Sequence, residues 1–374
     1  MYIMAGAGRL STASMWSLMG LILRNSEKLG IHRDGTFLGL SPASTEERRR
    51  LWWQLQHFDL GLAVMTGVTS LTLMADWDAK LPLNIEDDDL YPDMGEAPRE
   101  RQGLTSMSYC LYTYWVIQRQ RAFFKSIQGR FELSWQSKES LPEVSKEMLI
   151  EQLEEGLNTK FLQFCDPIKP VEVLLQLSAR SLICMLQLRT LYTLLPNEQM
   201  SLERREKLVT ASMRSLEYNI ASHSHPIIRP FQWWVKGMFP WHSLVCILIE
   251  ASRQDDPSKV QQLWELLARV YDANTSLYQL SEDRRRLHAA ELVLSASKTR
   301  QMKPSPNNCP QTPEFVIKLE AQVAGLAGKA AAESTTPSPN IVRDLSTEFP
   351  TFENAVPFDL DFQDVDWGFW ESIG

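Results

Sequence analysis

The sequence predicts an all-α fold, a multi-helix body followed by a disordered C-terminal tail. Apolar residues recur at helical spacing in one segment after another, with no convincing strand alternation between them. Breakers are few, 17 Gly and 20 Pro in 374 residues, and four of the prolines (Pro304, Pro306, Pro310, Pro313) crowd together where the composition changes.

The first pattern runs from Met15 to Leu29 and stops at Gly30, a residue suited to closing a helix. The clearest one follows Ser44-Thr45-Glu46-Glu47, which reads as a capping box with the Ser44 hydroxyl taking the Glu47 N–H. Behind it Leu51, Leu55, Phe58, Leu62 and Met65 share one helical face, and Trp52, Trp53, Leu60, Ala63 and Val64 widen that face until the helix reads as a central one. From Thr69 to Tyr91, Pro82, Pro92 and the run Glu86-Asp87-Asp88-Asp89 prevent a regular helix. That stretch reads as a long ordered loop anchored by Leu81, Leu83, Ile85 and Leu90.

Further helices are expected over Thr105–Ile127, Val171–Leu195 and Leu202–Ile220, over Phe231–Ser252 with a break at Pro240, and over Pro257–Leu280 and Glu282–Ser297. The domain reading is a body over 1–300, a Pro- and Ser-containing linker over 301–340 with one short helix from Glu314 to Ala332, and an acidic, aromatic segment over 341–374.

Charge separates the last part from the rest. The chain carries a net charge of −8, yet residues 341–374 hold eight acids and one base, which leaves 38 acids against 37 bases in residues 1–340. A basic nucleic-acid-binding body is excluded at this level. The five cysteines (Cys110, Cys165, Cys184, Cys246, Cys309) lie tens of residues apart with no Cys-x-x-Cys pair, so neither a disulfide framework nor a zinc site is expected. No run approaches the roughly 20 continuous apolar residues of a membrane span, and no signal peptide is read at the N-terminus, so membrane insertion and secretion are not expected.

The motifs of catalysis fail their context tests. Gly6-Ala7-Gly8 has Ser11 where a third glycine is needed and follows no strand. Gly39-Leu40-Ser41 continues into Pro42 and Ala43 rather than a nucleophile elbow. His223-Ser224-His225 has no nearby third ligand and reads as an ordinary loop. The Asp87–Asp89 cluster invites comparison with the magnesium-binding carboxylates of isoprenoid cyclases. Leu90, Tyr91 and Pro92 occupy the positions where a partner carboxylate is needed, so the cluster reads as a solvated acidic turn. No enzyme activity, cofactor site or metal site is predicted. The runs Arg48-Arg49-Arg50 and Arg284-Arg285-Arg286 read as solvated faces with one arginine turned inward, and Asp59 is the expected carboxylate partner within the first group.

Taken in order, Leu29-Gly30-Ile31-His32-Arg33-Asp34, then Glu47-Arg48-Arg49-Arg50-Leu51-Trp52-Trp53 with Asp59 and Gly67, then Leu81-Pro82-Leu83-Asn84-Ile85-Glu86-Asp87, and finally Phe239-Pro240-Trp241-His242-Ser243-Leu244 resemble the middle regulatory domain of fungal-specific transcription factors. The resemblance spans about 30–250. It implies a helical regulatory domain without catalysis, in which His32, Arg33, Asp34, Arg49, Trp52, Trp53, Asp59, Pro82 and Trp241 hold the fold together. It also implies a nuclear protein that controls genes of secondary metabolism and contacts transcription coactivators or another regulator, with a homodimer among the arrangements it allows.

In that family a six-cysteine cluster holding two zinc ions reads DNA, and this sequence contains no such cluster. Zinc is therefore expected only in longer relatives, and direct DNA contact by this chain is not expected. The alternative is a co-regulator or sensor that sequesters or modulates a partner without binding DNA. In the tail, Phe349, Phe352, Phe358, Phe362, Trp367, Phe369 and Trp370 alternate with acids, the composition of an activation segment whose charges keep aromatics in solvent until a partner groove accepts them.

Overall fold

The computed structural model describes residues 12–66, 76–126, 143–192, 201–235, 239–280, 284–302 and 312–333. Among them there are helices, short 3-10 segments and loops but no strand. Helix α1 (Thr12–Lys28) ends as its sequence indicates. Gly30 takes φ 67°, the Ile31 N–H reaches the Ser26 carbonyl at 2.9 Å, and the Gly30 N–H reaches the Glu27 carbonyl at 2.9 Å, the paired bonds of a Schellman closure.

Helix α2 (Pro42–Thr66) starts two residues before the expected capping box. Ser41, not Ser44, takes the capping position: its Oγ accepts the Ser44 N–H at 3.3 Å, and Pro42 fills the first helical position, where a missing N–H costs nothing. Glu46 and Glu47 then lie inside the helix, which frees the Glu46 carboxylate for another task described below.

Next come α3 (Ser108–Ser126), α4 (Glu143–Lys160) and α5 (Pro170–Tyr192), followed by α6 (Leu202–Ser224), the single turn α7 (Gln232–Val235) and α8 (Trp241–Arg253). Last are α9 (Pro257–Ala273), α10 (Arg284–Met302) and α11 (Glu314–Glu333). Helix α4 has no counterpart among the expected elements. Its Leu149, Leu153, Leu157 and the following Phe161 repeat every four residues, but Glu147, Glu151, Glu154, Glu155 and Gly156 dilute the pattern.

The chain divides into two compact units. The first takes the described residues up to Arg204 together with His225–Phe239; the second takes Arg205–Ser224 and the described residues from Pro240 onward. In the first, α2, α3, α4 and α5 enclose Trp53, Tyr114, Leu153, Leu157 and Leu175, all essentially inaccessible, and α1 lies on α2 through Met15, Met19 and Leu23 against Trp52, Leu55 and Leu62. By length and composition alone α5 is apolar enough to cross a membrane, but Leu175, Ala179, Ile183 and Leu186 are core residues here, which accounts for its composition.

In the second unit, α8, α9 and α10 bury Leu244, Leu267, Val270, Ala290 and Val293. Helix α11 joins them. Phe315, Val316 and Leu319 are buried, and the Phe315 ring stacks on Tyr271 with centroids 5.0 Å apart. Three apolar side chains on one face thus give the helix expected within the 301–340 segment a place to bury them.

A methyl group at Gly156 of α4 would fall inside contact distance of the rigid Trp115 ring, whereas one at Gly61 of α2 would meet nothing. Gly156→Ala is therefore expected to lower stability by about 1–3 kcal/mol through overpacking. Gly61→Ala is expected to raise it by about 0.5–1 kcal/mol through helix propensity. Urea unfolding of the two variants beside the parent checks both signs.

Candidate functional site

Eight of the nine residues that carry the family resemblance lie in the first unit, and two of them, Asp34 and Arg49, form a buried ion pair there. Asp34 sits in the connection between α1 and α2 with no exposed surface. It accepts five hydrogen bonds: Arg49 Nε at 2.7 Å and Nη2 at 2.8 Å, the Thr36 hydroxyl at 2.6 Å and N–H at 3.2 Å, and the Lys80 N–H at 2.9 Å. Burial alone would push this carboxyl upward, but the Arg49 fork and the Thr36 and Lys80 donors outweigh it and hold Asp34 well below the ordinary carboxylate range.

The expected partner of the inward arginine was Asp59, and the structure replaces it with Asp34. Arg49 and Asp59 lie on the same helix ten residues apart, a rise of about 15 Å, which no side-chain pair spans. Asp59 is buried further along α2.

Around this pair the segment Asp76–Thr105 is strapped along α2. The Asp78 carboxylate takes the Asp34 N–H at 2.7 Å and Arg33 Nε at 2.8 Å, and the His32 carbonyl takes the Asp78 N–H at 3.3 Å. Trp53 Nε1 donates to the Lys80 carbonyl at 2.8 Å. Glu46 accepts the Leu83 N–H and Arg50 Nε, and Arg50 Nη1 extends to Asp87 at 2.6 Å. Burial raises the Glu46 carboxyl despite those donors.

Pro82 and Ile85 are buried as anchors between these polar ties. Trp77 meets both tryptophans of α2 edge-on, with centroids 6.0 Å from Trp52 and 5.2 Å from Trp53, and the Arg121 guanidinium lies 3.7 Å from its ring centroid. Trp241, the ninth residue of the set, opens α8 in the second unit.

The acidic run is used structurally. Asp89 receives a two-pronged contact from Arg101, at 2.8 and 2.7 Å, and also the Glu86 N–H at 2.9 Å. Asp87 is tied to Arg50. Two of its three carboxylates thus hold arginines, and no cluster of three or more His, Cys, Asp or Glu side chains arranged for a metal exists among the described residues. His223 and His225 likewise have local roles: the first lies 2.9 Å from the Asn219 carbonyl, and the second accepts the Ile227 N–H at the start of a 3-10 turn. Of the second arginine run, only the Arg286 side chain is described, and it contacts Gln279. The aromatic tail residues Phe358, Phe362, Trp367, Phe369 and Trp370 lie outside the described residues.

A second aromatic cluster was not anticipated from the sequence. His57 of α2 stacks on Trp234 of α7, with centroids 5.9 Å apart and an interplanar angle of 26°, while Trp234 Nε1 donates to the Tyr109 hydroxyl at 2.6 Å. Desolvation pushes His57 down from 6.5 to about 4, so it is neutral in the fold at neutral pH. On the outer side, the α1–α2 connection presents Leu29, Phe37, Leu38 and Leu40 to solvent. The Phe37 N–H donates to the Asp34 carbonyl, and the Leu38 and Leu40 N–H groups donate to the Gly35 carbonyl, which ties the backbone of Phe37, Leu38 and Leu40. What the site offers chemically is a rigid scaffold with an apolar outer rim, and its carboxylates are committed to donors rather than open to a substrate.

Comparison with known proteins gives a match of residues 2–155 to the fungal specific transcription factor domain. The aurofusarin cluster transcription factor aurR2 of Gibberella zeae is 27% identical over 278 residues, covering 72% of this chain and 40% of that protein. The pyriculol/pyriculariol biosynthesis cluster transcription factor 1 of Pyricularia oryzae is 26% identical over 307 residues, 80% of this chain and 41% of its own length. The C6 finger domain transcription factor nscR of Aspergillus fumigatus is 25% identical over 289 residues, 72% and 35% respectively. The chain thus spans less than half the length of each of these relatives. No solved structure matches.

Two measurements test the site's energetics. Asp34→Asn keeps the shape but leaves Arg49 buried beside a neutral group, and is expected to cost about 3–5 kcal/mol in denaturant unfolding. The pH dependence separates the two titrating groups. Asp34, depressed in the fold, contributes stability that is present above the ordinary carboxylate value and lost only as pH falls through its folded value. His57, depressed from 6.5 to about 4, contributes stability present above 6.5 that drains away as pH falls toward 4. Between those two values His57→Phe, which preserves the stack on Trp234, is expected to flatten the stability curve relative to the parent.

Proposed function

We propose that this chain, which carries a fungal specific transcription factor domain over residues 2–155, is a nuclear regulator of a secondary-metabolite gene cluster. The observation that carries this reading is the agreement between that match and relatives of the same class. The chain aligns over 72–80% of its length with two cluster-specific transcription factors. The family is one of transcription regulators rather than enzymes, and the site accords with that assignment, since Asp34, Glu46, Asp87 and Asp89 are each held by arginine.

In this reading the helical body contacts protein partners, a coactivator, another regulator or a second copy, and the rigid rim of Leu29, Phe37, Leu38 and Leu40 is the part of its surface suited to such contacts. The segment 341–374 supplies activation: its aromatics dock in an apolar groove on a coactivator, with the acids steering the approach.

The zinc that reads DNA in C6 finger relatives does not fit the residues of this chain. Cys184 and Cys246 are buried, and burial pushes the Cys110 thiol up and that of Cys165 to about 11, opposite to the thiolate a zinc ligand requires. A second reading is that the chain modulates a partner regulator without touching DNA itself. A gel-shift titration with promoter fragments of a neighbouring gene cluster separates the two, since sequence-specific binding by the purified chain overturns the second.

The activation role is tested by fusing residues 341–374 to an unrelated DNA-binding domain in a reporter strain. Strong activation is expected, with a loss of several-fold or more when Trp367, Phe369 and Trp370 are changed to Ala together. Silence of the parent fusion, or indifference to the triple change, defeats the role.

A further inference from the structure

Thr312 stands directly before Pro313, and Pro313 leads into α11. A proline offers no N–H, and its ring biases the residue before it toward extended backbone. An extended hydroxyl residue followed by a ring in place of an N–H is the substrate shape that proline-directed protein kinases accept. In the sequence a further proline stands two residues upstream, as Pro310-Gln311-Thr312-Pro313.

The fold gives this threonine a specific neighbourhood. It is half-exposed, and its Oγ1 accepts a hydrogen bond from Gln301 Nε2 of α10 at 3.1 Å, a side-chain tie between the end of α10 and the start of α11. One residue before Gln301, Arg300 places its guanidinium carbon 5.4 Å from the Trp264 ring centroid. Trp264 in turn lies 6.0 Å from the ring of Phe315, three residues after Thr312. Arg300 makes no ion pair among the described residues, and desolvation lowers its proton affinity. It is a half-buried cation on the docking surface of α11, with no carboxylate paired to it among the described residues.

We propose that Thr312 is a phosphorylation site for a proline-directed kinase, and that Arg300 receives the phosphate so that α11 is locked onto α9 and α10. In the transfer, a bond forms between Thr312 Oγ1 and the γ-phosphorus of magnesium-bound ATP. The bond from that phosphorus to the β,γ-bridging oxygen breaks, ADP leaves, and the hydroxyl proton passes to the kinase's catalytic base. The product carries about −1.5 to −2 charge and three strong acceptor oxygens.

Arg300 and the Gln301 amide are the donors on the α10 side, and a guanidinium grips phosphate with two parallel hydrogen bonds. Glu314, two residues after Thr312, carries a charge of the same sign as phosphate, and it is paired with Lys318 at 2.8 Å. Ser41-Pro42 shares the dipeptide but is a poorer site: Ser41 Oγ caps α2, and the residues after it are already helical.

The site is independent of the regulatory reading above and is tested on the full chain. The purified protein is incubated with an active mitogen-activated-type kinase and magnesium ATP, phosphopeptides are mapped by mass spectrometry, and amide exchange is followed over residues 314–326. Label on Thr312 is expected. Exchange over Phe315–Leu319 is expected to slow by about tenfold, the factor a single charge-assisted hydrogen-bonded contact supplies. Arg300→Gln is expected to accept label equally while losing the slowing. Label confined to other Ser-Pro or Thr-Pro positions overturns the site. Label on Thr312 without slowing, or with slowing that persists in Arg300→Gln, overturns the lock.

Discussion

The first unit is organised by the need to neutralise one carboxylate. Asp34 is out of contact with solvent, and a charge in that position is stable only if its surroundings supply donors in place of water. Those donors come from three separated parts of the chain: Thr36 beside it, Arg49 on α2 and the Lys80 N–H on the strap. Satisfying one side chain therefore fixes the approach of the α1–α2 connection to α2 and lays the strap alongside. Gly35 follows from the same closeness, since a Cβ there would fall 2.9 Å from the Thr45 Cα. The edge-on contacts of Trp77 with Trp52 and Trp53 then fill the apolar ground between these polar ties.

Charge is spent in the same way along the rest of the strap. Glu46, Asp87 and Asp89 look like free acids in one dimension, and Arg50 and Arg101 like free bases; in the fold they form a chain of pairs from α2 to the turn at Asp87–Asp89 and on to the approach to α3. The exposed pairs add little individually, whereas the buried Glu46, which also accepts the Leu83 N–H, cannot be left without its donors. A scaffold of this kind positions surface rather than reactive groups.

Most helices were legible because each has an apolar stripe of the right period and an end signal, as Gly30 provides for α1. Helix α4 was not, although Leu149, Leu153, Leu157 and Phe161 recur every four residues, because a narrow stripe set among five acids and Gly156 resembles a polar linker in one dimension. The start of α2 was misplaced because two hydroxyl residues three apart offer alternative caps, and Pro42 settles the choice for Ser41. The docking of α11 was hidden behind the proline-rich stretch before it. Composition marks where a chain leaves regular structure but carries no information about where it returns to a surface able to bury Phe315.

The helical class, the separation of a nearly neutral body from an acidic end, and the family resemblance were visible in the sequence. These follow from local properties: period, propensity, charge count and order along the chain. The partners were not visible. Asp59 was the expected partner of one of Arg48, Arg49 and Arg50 because it lies on the same helix near an apolar face, whereas the fold pairs Arg49 with Asp34, because helix rise carries Asp59 out of its reach while the turn at Gly30 brings Asp34 back across α2. The same holds for Glu46 with Leu83, His57 with Trp234 and Phe315 with Tyr271. Each is a pairing between segments remote in sequence, and only the path of the backbone in three dimensions determines which donor meets which acceptor.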